Sequence, residues 1–108
     1  MTHAAQAFRA AAQTGVCALC GEPGAALDAH HILPRSKLKR WLGGKGKIVS
    51  SAVLFDTRNV VGLHRDCHER VTSRARPLPR SAVPACTWEF AREHQLEWLL
   101  EAECPDVP

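Results

Sequence analysis

The run Asn59-Val60-Val61-Gly62-Leu63-His64-Arg65-Asp66-Cys67-His68 decides how this chain folds. Asn59–Leu63 is a short apolar stretch. From His64 the pattern becomes helical, with Cys67 and Val71 on one face of a helix expected over His64–Arg74. At the junction, His64-x-x-Cys67 repeats the spacing of Cys17-x-x-Cys20 further upstream. Two residues between donors, with Gly21 following the second thiol, let both bite one tetrahedral ion. Together Cys17, Cys20, His64 and Cys67 form a Cys3His set suited to a closed structural zinc site. The alternative is a Cys17–Cys20 disulfide or redox pair. It leaves the second half-site unexplained and is less expected in a chain without an export signal.

Composition explains why such a staple is needed. The chain has 108 residues, 6% aromatics and no Tyr. A chain this short buries only about 60–65% of its unfolded surface, and metal often completes so thin a core. No apolar run approaches the ~18 residues of a membrane span. Met1–Ala12 lacks the basic start and apolar centre of a secretory signal. The expectation is one soluble domain over residues 1–108, cytoplasmic, with no membrane partner. Cys86 and Cys104 fall outside the zinc set and are expected to be free, semi-buried thiols.

Outward from the deciding run, His3–Gln13 reads as a short helix N-capped by Thr2, and Val16–Gly24 as a turn carrying the first Cys pair. Ala26–Leu33 reads as a strand ended by Pro34. Arg35–Lys47, with Gly43, Gly44 and Gly46, reads as a flexible loop around Trp41, and Ile48–Phe55 as a second strand candidate weakened by Ser50 and Ser51. Pro77, Pro79 and Pro84 mark a linker. Thr87 is a plausible N-cap for an acidic helix over residues 88–103, stopped by Pro105.

The formal net charge of +3 conceals a division. Residues 1–80 balance at +8 and residues 81–108 at −5. The basic stretch holds Arg35, Lys37, Lys39, Arg40, Lys45 and Lys47 with no acid among them. Such a segment suits a polyanion, because neutralised phosphates release counterions; a solvated loop is the plain alternative. Trp41 within it is expected to pack over the core, the alternative being to stack on a base.

Zinc leaves His30, His31 and His68 unexplained. Strand alternation sends the adjacent imidazoles of His30 and His31 to opposite faces, so they need different roles. His68 lies about 100° around its helix from Cys67 and can face the strand.

Taken together, these residues resemble the zinc-knuckle branch of the HNH nucleases. That family runs C-x-x-C, then (D/H)-H-I-x-P, then N-x-x-x-L-C-x-x-C-(H/N). Here the counterparts are Cys17-x-x-Cys20, His30-His31-Ile32-Leu33-Pro34, and Asn59-x-x-x-Leu63-His64-x-x-Cys67-His68, a motif core of about 16–72. The resemblance implies an α+β, ββα-metal fold in which zinc pins a hairpin to the start of a helix, with flanking N- and C-terminal helices. It implies His30 and His68 as ligands of a catalytic Mg2+, Mn2+ or Ni2+, His31 as general base, and Asn59 as the residue holding the base-bearing loop or orienting His31. The substrate implied is double-stranded DNA, cut to 5′-phosphate and 3′-hydroxyl ends. Small relatives of this kind resemble phage enzymes that work beside the packaging machinery in a bacterial host cell, which suggests a protein partner.

This sequence departs from the pattern in places. His64 stands where the family usually has Cys. The 28 residues from His31 to Asn59 suggest an insertion carrying the basic segment, with Arg35, Lys37, Lys39, Arg40, Lys45 and Lys47 as DNA-backbone contacts. His64 and His68 are four apart, as in colicin-type nucleases where both bind the catalytic metal, but that assignment would leave the three thiols a ligand short. A single active site cuts one strand, so double-strand breaks need a homodimer, a partner or two visits. The competing reading is a non-catalytic zinc module that binds nucleic acid or protein. It has no use for His30, His31, Asn59 and His68.

Overall fold

Two four-residue strands, β1 (Asp28–His31) and β2 (Val60–Leu63), pair antiparallel with His30 opposite Val61 and His31 opposite Val60. The computed structural model describes residues 2–44 and 46–106. Within them the strands are joined by six α-helices into a small α+β fold. Helix α1 (His3–Ala11) begins as expected, with Thr2 Oγ1 accepting from Ala5 N. It stops before Gln13, whose side-chain amide pairs with both backbone groups of Leu27. Gln13 thereby ties the end of α1 to the start of β1.

Two expectations about the connection between the strands are corrected here. The segment 35–47 is not a loop throughout: Arg35–Gly43 is helix α2. Leu38 and Leu42 lie one turn apart and face the core, and their burial outweighs the glycines, which end the helix instead. Ile48–Phe55 is not a strand. Ser50 caps a short helix α3 (Ser51–Leu54) through Oγ accepting from Val53 N, so the serines are a helix signal. Ile48 is almost wholly exposed, leaving no buried strand face to drive pairing.

Helix α4 (Arg65–Thr72) follows β2 directly, with His64 at its N-cap position. The expected acidic helix over 88–103 is two helices, α5 (Ala85–Glu93) and α6 (Glu97–Glu103), divided where Gln95 takes a φ of 58°. Thr87 does not cap either. It is buried inside α5, and its hydroxyl donates to the carbonyl of Arg58. This break lets Phe90 and Ala91 of α5 and Leu99 and Leu100 of α6 all enter the same core as Leu33, Leu38 and Leu63. The proline-marked segment contributes too, since Leu78 is fully buried. Cys104 is buried, whereas Cys86 is exposed rather than semi-buried; all five cysteines are free. Trp41 is half-exposed and meets Trp98 edge-on, ring centroids 5.0 Å apart.

Gly62 shows how tightly α1 closes on the sheet. A Cβ there would lie 2.0 Å from the carbonyl oxygen of Ala12. Among the described residues, no helix is long and apolar enough to cross a membrane.

Candidate metal centre and active site

The turn before β1 and the junction of β2 with α4 bring Cys17, Cys20, His64 and Cys67 together, their ligand atoms all within 4.8 Å of one another. A tetrahedral zinc with bonds of about 2.0–2.3 Å sets its donors roughly 3.5 Å apart. Cys20 Sγ and His64 Nδ1 lie at 3.3 Å. The other ring nitrogen, Nε2–H, donates to the carbonyl of Pro23 at 3.0 Å. A carbonyl can only accept, so the proton sits on Nε2 and the Nδ1 lone pair faces the sulfurs.

The thiols bear this out electrically. Burial would raise the Cys17 thiol, but backbone N–H groups of Cys20, His64 and Leu19 point at its sulfur and bring it down to about 6. Cys67 is pushed up to about 11 by its own burial and by the neighbouring Cys17 and Cys20 sulfurs. Three sulfurs so close cannot all be thiolates unless a cation lies among them. The donor set therefore fits zinc, and the fourth donor is His64, which joins this cluster rather than His68.

His30 and His68 meet on one side of the sheet, ring centroids 5.2 Å apart and nearly perpendicular. Burial, then the neighbouring His68 and His31, lowers His30 to about 4, leaving its imidazole neutral at pH 7 with a lone pair to offer. His68 Nδ1–H donates to Asp28 Oδ2 at 3.2 Å, which leaves Nε2 as its free nitrogen. The Cys/His set is the one group among the described residues that brings three or more potential ligands together. Two histidines alone would leave most positions around an ion for phosphate and water.

His31 turns to the other side of β1. Its ring stacks on Phe8 of α1 at 4.2 Å and packs against Phe55. Its Nε2–H donates to the carbonyl of Leu54 at 2.8 Å, which fixes the tautomer and leaves Nδ1 as the basic atom. Burial lowers its pKa, opposed by the Leu54 hydrogen bond and aided by Arg35. Asn59 is fully buried, with Oδ1 accepting from Leu33 N at 2.8 Å and Nδ2 donating to Leu33 O at 3.0 Å. It thus grips the chain two residues beyond His31. His30, His31, His68 and Arg35 line a common cavity of about 600 Å³.

A family model described as HNH endonuclease matches residues 17–74, more than half of the chain. The chain belongs to the HNH endonuclease family. Neither the curated proteins nor the solved structures compared with it provide a significant match. The strand pair, the α4 helix and the Cys/His group are consistent with the ββα-metal fold of HNH proteins.

Around this HNH core, the basic residues divide. Arg35, Lys39, Arg40 and Lys47 are exposed. Lys37 is instead half-buried in an ion pair with Glu103 of α6. Lys45 lies outside the described residues. Asp28 is absent from the expected set, although strand alternation puts it on the face of His30, two residues on. Phe8 and the Leu54 carbonyl had no comparable signal: one lies outside the motif and the other is a backbone atom.

Proposed function

We propose that this HNH chain is a metal-dependent endonuclease of double-stranded DNA. The observation that carries the reading is the placement of three histidines along one cavity: His31 with Nε2–H given to the Leu54 carbonyl and Nδ1 free, His30 facing His68, and His68 oriented by Asp28. His30 and His68 would hold a divalent cation such as Mg2+, Mn2+ or Ni2+, which supplies positive charge to the scissile phosphate and the departing 3′ oxygen. His31 Nδ1 accepts a proton from the attacking water as the new O–P bond forms. The bond to the 3′ oxygen breaks, giving 5′-phosphate and 3′-hydroxyl ends. Asn59 keeps the segment after His31 in place. Arg35, Lys39, Arg40 and Lys47 take the DNA backbone, and Lys37 takes part only if Glu103 releases it.

The test is plasmid cleavage with Mg2+, Mn2+ or Ni2+ against chelator. His31→Ala is expected to fold, keep its zinc and lose at least about 100-fold in rate. Undiminished cutting by that variant would remove His31 as the base. Absence of nicking by the wild-type protein with any of these metals would return the reading to a zinc-bearing interaction module.

A further inference from the structure

The cavity that holds the three histidines does not end with them. It runs on beneath α4 and α6, where Val71, Leu78, Ala102, Cys104 and Pro105 form an apolar wall. Leu78 and Cys104 are almost completely buried, so this end has a solid floor. At about 600 Å³ the whole space falls within the usual range of small-ligand sites, about 300–1,000 Å³, and exceeds what a hydrated cation and a phosphate require. Phosphate chemistry needs no apolar wall; a nucleobase does.

Cations border the same space. Arg35 stands at the start of α2. Arg74 stands just past α4 in a left-handed conformation, φ 65°. That conformation ordinarily falls to Gly or Asn at a helix end, and a long side chain held there carries strain. Its guanidinium lies 3.8 Å from Glu103, which lines the cavity too and is itself anchored by Lys37. The carboxylate keeps acceptor capacity for an amino or imino group of a base.

We infer that the apolar arm receives the base of one unpaired nucleotide adjoining the scissile phosphate. The preferred substrate is then DNA with a displaced or unpaired nucleotide at the cut. This inference rests on the endonuclease reading for the position of the phosphate. Arg74 contacts the flanking phosphate, and Glu103 meets the polar edge of the base. Paired DNA can fill the arm only by first breaking a base pair and its stacking, so intact duplex is the poorer substrate.

Two measurements on the full chain test this. In the first, 2-aminopurine is placed in an oligonucleotide duplex either opposite an abasic site or paired with thymine, and titrated with His31→Ala protein in Mg2+. Saturable emission change of at least about twofold is expected for the unpaired probe and none for the paired one. In the second, wild-type protein is expected to cut a duplex with one unpaired nucleotide at least about tenfold faster than its fully paired counterpart. Ala102→Trp, which fills the arm, should abolish both differences, with zinc content and thermal unfolding checking that it folds. Arg74→Gly relieves the strained backbone, so loss of probe binding there at undiminished stability cannot come from unfolding. Identical responses to paired and unpaired probes, or an Ala102→Trp protein that retains the discrimination, would overturn the inference. Discrimination in binding without cleavage of any DNA would overturn the endonuclease reading and leave the base site standing. Cleavage without discrimination would do the reverse.

Discussion

Replacing Asn59 by Asp is the sharpest probe of how the candidate base is held. The side chain is fully buried, and each half of its amide meets one backbone group of Leu33, itself completely buried. Aspartate keeps an oxygen for the Leu33 N–H. Its second oxygen must face the Leu33 carbonyl, and two acceptors cannot bond. Protonation of the carboxyl relieves this, because an O–H can donate to that carbonyl as Nδ2 does now. The folded state therefore prefers the neutral acid, and burial at this site pushes the same way. The new carboxyl titrates higher folded than unfolded.

The sign follows from that ordering. Near the unfolded pKa of about 3.9 the variant is close to wild type, and its deficit deepens by about 1.4 kcal/mol per pH unit until the folded pKa is passed. Between pH 5 and pH 7 the added loss reaches up to about 2.7 kcal/mol. Asn59→Ala should show no such slope. It strands a buried N–H and a buried C=O, at about 1–3 kcal/mol each, equally at both pH values. Urea unfolding of the three zinc-loaded proteins at pH 5 and pH 7 measures this. Subtracting wild type at each pH removes the titration of the zinc ligands and the native histidines. An Asp variant whose deficit is the same at both pH values, or an Ala variant within about 0.5 kcal/mol of wild type, would refute the assigned contacts.

Other expectations concern the scaffold. Cys67→Ala should lose the metal and fail to fold, because structural zinc supplies about 10–16 kcal/mol of apparent binding energy, as much as the whole stability of a typical domain. Circular dichroism with zinc stoichiometry decides it: a folded, metal-free variant would contradict the Cys/His assignment. Gly62→Ala should cost at least the upper end of the overpacking range of about 1–3 kcal/mol, since its Cβ would meet the Ala12 carbonyl oxygen at 2.0 Å and backbone must yield. A fall of the unfolding midpoint by only a degree or two would show that α1 is not clamped to β2 as described. Asp28→Asn removes the charged acceptor of His68 Nδ1–H. It is expected to weaken binding of the proposed catalytic cation about 10–100-fold while leaving zinc content unchanged. Isothermal titration with Mn2+ reads this, and an unaltered affinity would deny Asp28 that role.

What could be read from the sequence is what the chemistry forces into residue types at fixed spacing. Two donors with two residues between them, twice over, announce a tetrahedral ion whatever the surrounding fold. Adjacent His30 and His31 must diverge across a strand. The connection between the strands was less legible. In Arg35–Gly43 three nearby glycines suggested a loop, while helix formation rests on Leu38 and Leu42 finding a core that lies far away in sequence. Ser50 and Ser51 are poor strand residues for the same reason that Ser50 is a good helix cap: a short hydroxyl competes for backbone N–H groups. The break at Gln95 had no Gly or Pro to announce it. Only packing demanded it, since Phe90 and Leu99 would lie on opposite sides of an unbroken helix, about 180° apart, yet both enter the core.

The charge division takes on a different meaning once the acidic residues are located. Glu93 grips Arg58 through two hydrogen bonds, at 2.8 Å each, and Arg58 also binds Asp56 in the turn leading to Asn59. Glu103 reaches Lys37 of α2 and Arg74 beyond α4. Ion pairs at a surface contribute little stability, about 0–1 kcal/mol each, so their effect is one of placement. The Arg58 cluster and the Thr87 hydroxyl hold α5 against the turn that presents Asn59; Glu103 ties α6 to the helices flanking the histidine cavity. The acidic C-terminal helices thus dock within the molecule, by apolar burial first and charge second. Cations that they do not neutralise, among them Arg35, Lys39, Arg40 and Lys47, keep their full attraction for phosphate. In the proposed DNA complex these exposed side chains, rather than the net charge of +3, would meet the backbone at close range.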